Sequence, residues 1–126
     1  MTYKEVIGIV DTLKPNRFEE SVKLGWLCNL EGQIYRELVM THEYPEKVDV
    51  DALDPALIDV DSEMIAPFPH DEVYMLYLQA QIDQANMEIV KYNNSKTMFN
   101  NAYAALANWW NRNHKPLSVA THFYFG

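Results

Sequence analysis

Hydrophobic side chains recur along this chain at the three-to-four-residue spacing of helices, in stretches separated by prolines or by acidic connections. The first stretch opens on a capping box, Thr2 with Glu5. It runs through Val6, Ile9, Val10 and Leu13 to a stop at Pro15. Asn16 with Glu19 has the form of a second capping box. It predicts a longer helix with Phe18, Val22, Trp26, Leu27, Leu30, Ile34 and Leu38 on its apolar face, ending near His42 before Pro45. Gly25 and Gly32 weaken that helix by up to about 1 kcal/mol each relative to alanine. Close approach of a neighbouring helix at these positions would offset the loss.

Residues 43–68 break the helical period. Val48-Asp49-Val50-Asp51 and Ile58-Asp59-Val60-Asp61 alternate apolar and charged side chains, as short half-buried strands do. They predict either a two-stranded ribbon or an extended arm packed on the rest of the chain. Pro67 and Pro69 then set up a third helix, with Asp71 and Glu72 in its first turn to complement the helix dipole. Its stripe is Val73, Leu76, Tyr77, Ala80, Met87 and Val90, lasting to about Tyr92. Asn93-Asn94-Ser95 marks a junction, because these side chains compete for backbone hydrogen bonds. A fourth helix follows on Phe99, Ala102, Tyr103, Leu106, Trp109 and Trp110 and closes at Pro116. From Leu117 to Gly126 the chain turns β-prone, with Phe123, Tyr124 and Phe125 in succession. The expected fold is all-α: a bundle of about four helices over 1–116, an acidic loop inserted at 43–68, and an extended C-terminal arm at 117–126.

Composition supports one domain rather than several, since 126 residues suffice for a single core. With four glycines the chain lacks the frequent turn signals of a sandwich or barrel. The formal charge is −8, and eight carboxylates between Glu43 and Glu63 face only Lys47. A basic stripe for DNA phosphates is missing, so tight nucleic-acid binding is disfavoured. Cys28 sits among Trp26, Leu27 and Leu30 and reads as a small core residue. No signal-peptide pattern opens the sequence and no apolar run approaches the ~20 residues of a membrane span. The expected setting is a reducing cytoplasm, away from membranes.

Candidate chemistry is sparse. His42, His70, His114 and His122 form no metal-ligand spacing. His70-Asp71 matches the metal-binding dipeptide of HD-type phosphohydrolases, but it falls at a helix start, where capping is the simpler role. Asp49-Val50-Asp51 and Asp59-Val60-Asp61 lack the glycine and final glutamate of a calcium loop. Serines 21, 62, 95 and 118 have no recognisable base partner. No enzyme, cofactor or metal is expected. In the asparagine- and aromatic-rich stretch from Lys91 to Pro116, the aromatic stripe reads as core. Asn100, Asn101, Asn108 and Asn111 fall outside it as candidate amides of a subunit interface, where uncharged groups avoid the desolvation cost of a charge.

Several of these segments, in this order, resemble a known family. They are Ala66-Pro67-Phe68-Pro69 with Asp71-Glu72-Val73-Tyr74, Tyr77-Leu78-Gln79-Ala80-Gln81-Ile82-Asp83, Tyr92-Asn93-Asn94-Ser95 with Met98-Phe99-Asn100, and Ala107-Asn108-Trp109 with Asn111-Arg112. Together they are similar to the head–tail connector (adaptor, head-completion) proteins of siphophages and Gram-positive prophages. The resemblance is strongest over 66–113 and weak in the acidic loop and the tail. It implies a virion protein made in the bacterial cytoplasm and placed at the capsid vertex. There it would form a homo-oligomeric ring, commonly of twelve copies, beneath the portal protein. The ring would extend the DNA channel without reading sequence and meet the next connector or tail protein. It further implies that Leu117, Val119, Phe123, Tyr124 and Phe125 belong to an arm docking on the portal or a neighbour. A tail-completion protein or assembly chaperone is the alternative within phage morphogenesis. Eight tyrosines, three tryptophans and six methionines suit a chain with extensive interfaces.

Overall fold

A computed structural model of the chain describes residues 1–48 and 50–117. The architecture is a small all-α bundle of four helices: α1 (Tyr3–Leu13), α2 (Glu20–Ile34), α3 (Glu72–Ala85) and α4 (Ile89–Asn113). A π-helical turn, Tyr35–Val39, prolongs α2, and a 3-10 turn, Val50–Leu53, lies in the acidic segment. The antiparallel pair α3–α4 is the backbone of the bundle, with α1 and α2 packed on α3.

The capping box at α1 forms as the sequence expects. Thr2 accepts from the Glu5 N–H at 3.1 Å, and Glu5 accepts from the Thr2 N–H at 3.0 Å. That geometry holds the Glu5 carboxyl below its usual range, through hydrogen bonding to the backbone of Thr2. The buried face of α1 is Tyr3, Val6, Ile7 and Val10. Ile9 and Leu13, placed on that face by sequence, point to solvent. The expected stripe was turned too far, because Tyr3 and Ile7 share the core face with Val6 and Val10.

The second capping box does not form. Glu19 stands at the N-cap of α2 without a side-chain cap. Asn16 Oδ1 instead accepts from the Phe18 N–H at 3.1 Å, and its amide donates to Asp11 at 2.9 Å. This side chain therefore organises the corner between α1 and α2, the alternative use of asparagine at a turn. Buried Lys23 completes the corner, its Nζ 2.8 and 2.9 Å from the two Asp11 oxygens. Leu27, Leu30, Ile34 and Leu38 are core as expected, and so is Cys28, while Val22 is exposed. Burial raises the Cys28 thiol to about 11, which keeps it protonated and inert. No helix approaches Gly25, and the nearest outside atom at Gly32 belongs to the flexible Arg36 side chain. The close-approach role expected of these glycines is absent.

The alternating segments of the acidic loop form no ribbon among the described residues. Val50 and Asp51 lie in the 3-10 turn, and Val60 and Asp61 in a turn that is anchored where the Lys4 N–H donates to Val60 O and the Met64 N–H to Met1 O, both at 3.0 Å. Thr2 and Glu63 make an isolated bridge between these bonds. Packing on the start of α1 thus satisfies backbone groups that an isolated hairpin would leave to water.

The helix junction also falls elsewhere than expected. Asn93, Asn94 and Ser95 lie inside α4, and the chain reverses at Asn86-Met87-Glu88. The Glu88 N–H donates to Asp83 O and the Met87 N–H to Gln84 O, both at 3.0 Å. This is the paired closure of a Schellman motif, and Met87 adopts the required left-handed φ of 58°. Met87 and Val90 consequently leave the α3 stripe and stand exposed, while Tyr74, Leu78 and Ile82 fill it. Glycine carries no Cβ penalty at such a position. Met87→Gly is expected to raise stability by roughly 0.5–1 kcal/mol, seen as a melting point a few degrees higher.

Candidate functional site

Asn100, Asn101 and Asn108 are exposed along α4, outside the buried stripe of Phe99, Ala102, Leu106 and Trp110. The expected division between core aromatics and outer amides therefore holds for these three. Asn111 is exposed as well. Its Oδ1 lies 2.6 Å from Nε2 of buried His42, whose Nδ1 is 2.8 Å from Leu38 O. This outer amide thus also joins α4 to the residues just after the π-turn. Leu117, the first residue of the expected arm, donates its N–H to Thr41 O at 3.1 Å. An isolated bridge between His42 and Pro116 precedes it, so the chain is tied to the bundle as far as Leu117. Val119, Phe123, Tyr124 and Phe125 lie outside the described residues.

Sequence reasoning missed two buried carboxyls. Asp83 is fully buried near the end of α3. Both its oxygens lie 2.6 Å from Lys14 Nζ, and the Ser95 hydroxyl donates to Oδ2 at 2.8 Å. One side chain thereby ties α1, α3 and α4. Glu31 is 2% exposed on α2. It accepts from the Ile65 N–H at 2.8 Å and from the Tyr74 hydroxyl, which in turn accepts from the Ala66 N–H at 2.8 Å. This network clasps the end of the acidic segment against α2 and α3. Burial pushes the Glu31 carboxyl up to about 7, while the donors from Tyr74 and Ile65 hold it from rising further. Burial, and then the proximity of Glu31, drive the Tyr3 and Tyr74 hydroxyls upward as well. The only sequence signal was a glutamate on an otherwise apolar helix face.

Two hollows adjoin this clasp. One, of about 460 Å³, is bordered by Tyr3, Glu31, Asp59 and Lys47. The other, of about 480 Å³, is bordered by Phe68, Asp71, Trp109, Trp110 and His114. Tyr44, Glu46 and Glu63 stand in the walls of both. His114 stacks on Trp110 with centroids 4.3 Å apart, Tyr44 lies 5.1 Å from Trp110, and His70 packs on Trp109 at 5.4 Å. His70 is thus part of an aromatic cluster, and Asp71, at the N-cap of α3, makes no side-chain cap. Among the described residues no group of three or more His, Cys, Asp or Glu side chains is placed to hold a metal ion. No described helix is long and apolar enough to cross a membrane.

Apolar side chains are also exposed at the far end of the bundle. Met87, Ile89 and Val90 are 83%, 70% and 74% exposed at the α3–α4 reversal. At the other end of α4, Phe68 is 85% exposed beside the tryptophan cluster. Comparison of the chain with protein-family models, with curated proteins and with solved structures gives no match.

Proposed function

We propose that this chain is a structural, non-catalytic subunit of a head–tail connector ring in a tailed phage. It would dock beneath the portal protein, extend the DNA channel and meet a downstream connector or tail protein. The supporting observation is the pair of unlike apolar surfaces at opposite ends of α4: the patch of Met87, Ile89 and Val90 at one, and the exposed ring of Phe68 beside the tryptophan cluster at the other. The 25 residues of α4 separate them by about 37 Å. A head-to-tail contact that closes into a ring uses two different surfaces, in contrast to the single self-complementary patch of a two-fold dimer. The exposed amides Asn100, Asn101 and Asn108 add a polar flank to α4. The acidic surface favours a channel along which DNA slides rather than binds.

Sedimentation velocity of the full chain tests this reading. A species several-fold heavier than the 14.7 kDa subunit is expected, and Ile89→Glu is expected to shift it to monomer while the helical circular dichroism is retained. A monomer at all concentrations, or a large species indifferent to Ile89→Glu, speaks against it.

A further inference from the structure

The paired hollows beside Tyr44 hold the two chemical features that recognise a guanidinium: carboxylates and aromatic rings at the same wall. Glu46 accepts from the Tyr44 hydroxyl at 3.2 Å, which fixes a carboxylate at the edge of a half-buried ring. Tyr44 in turn packs against Trp110 and His114. A planar, weakly hydrated cation can donate hydrogen bonds to the Glu46 carboxylate and lie along such rings, a combination that favours arginine over lysine.

The electrostatics point the same way. Glu31, Glu46, Asp59 and Glu63 border the first hollow against Lys47 alone. Glu63 is engaged by the Met1 ammonium at 2.8 Å, with Asp71 3.9 Å from the same group. Glu46, Asp59 and Glu31 have no ion-pair partner among the described residues. Glu31, buried at the border of the hollow, is already engaged by Ile65 and Tyr74, which leaves Glu46 and Asp59 as the carboxylates open to a cation. One unsatisfied donor borders the other hollow. The indole N–H of Trp110, which is 1% exposed, has no hydrogen-bond partner among the described residues, and it calls for a carbonyl oxygen such as a peptide backbone carries, not for the guanidinium.

We infer that this cleft is a docking site for an arginine-bearing segment of a partner protein, its guanidinium held between Glu46 and the Tyr44–Trp109–His114 rings. Together the two hollows exceed the volume of one side chain, which suits a peptide rather than a free amino acid. The inference does not depend on ring assembly.

The test is a nuclear magnetic resonance titration of the full chain with N-acetyl-arginine N-methylamide, following the tryptophan indole signals and the amides of Tyr44 and Glu46. Saturable shifts with a roughly millimolar dissociation constant are expected, as for a small cation in an open site. The lysine analogue should bind several-fold more weakly, the uncharged citrulline analogue should give no saturable shift, and free L-arginine, whose own carboxylate meets the acidic wall, should bind less tightly than the blocked form. Glu46→Gln, an exposed position expected to leave the melting curve unchanged, should weaken binding at least fivefold, and Glu20→Gln on α2 should not. Absence of saturable shifts, equal binding of citrulline, or indifference to Glu46→Gln overturns the site. Equal binding of lysine overturns the arginine assignment, and tighter binding of free arginine overturns the peptide assignment.

Discussion

Asp83→Ala is expected to be among the most destabilising single substitutions in this chain, costing about 3 kcal/mol or more. The carboxylate is fully buried and receives Lys14 through both oxygens and Ser95 through one. Alanine leaves a cavity, an unpaired ammonium and an orphaned hydroxyl where three helices meet. Lys14 retains about a quarter of its side-chain surface in water and can swing outward, which places the loss at the lower end of the range for broken buried pairs. Urea unfolding measures it: the midpoint should fall with the slope unchanged. Lys14→Ala on the Asp83→Ala background should add little, because the two single changes remove the same interaction. Equal and additive losses would show that the pair does not act as a unit.

The second large effect is a pH dependence that resides in Glu31. Its carboxyl stands at about 7 in the folded chain, above the ordinary carboxylate value, because burial penalises the charge. A raised pKa means that the folded state binds the proton more tightly than the unfolded state. The associated stability is therefore fully present below the unfolded value near 4.5, and is lost as pH rises through about 7. The span corresponds to about 3 kcal/mol. Glu31→Gln cannot ionise, so the difference in unfolding free energy between wild type and variant should change by about that amount between pH 4 and pH 8. The wild type should lose ground as pH rises. Glutamine also cannot accept from both Ile65 and Tyr74, so a pH-independent loss of about 1 kcal/mol is expected on top. A difference that stays flat across this range would contradict the assignment.

The sequence carried the number of helices because each has an apolar stripe, and it carried the aromatic core of α4 because Phe99, Leu106 and Trp110 keep helical spacing without interruption. It misplaced the α3–α4 reversal for a definite reason. The left-handed position there is Met87, and no glycine announces it, whereas Asn93-Asn94 carries a turn-like composition yet sits inside a stable helix. Tertiary packing overrides local preference at both places. Asn16 was legible as a capping residue but not as to which backbone group it would serve, since the same side chain caps a helix or organises a turn. The acidic alternation looked like strands, but it does not record whether a partner strand exists, and Val50 is exposed. For the second segment, whose Ile58 and Val60 are partly buried, the partner is the start of α1.

The candidate site was less legible than the fold. Glu31 and Asp83 look like ordinary surface carboxylates until α3 is laid against α1 and α2, and their partners lie 12 to 69 residues away in sequence. The outer position of Asn100, Asn101, Asn108 and Asn111 was readable from helical phase alone, but the bond from Asn111 to His42, 69 residues away, was not.

Negative-stain electron microscopy of the full chain tests the connector reading most directly. Closed rings with a central channel are expected, lost on Ile89→Glu. Fields of single small bundles at every protein concentration, with no ring classes, would contradict it.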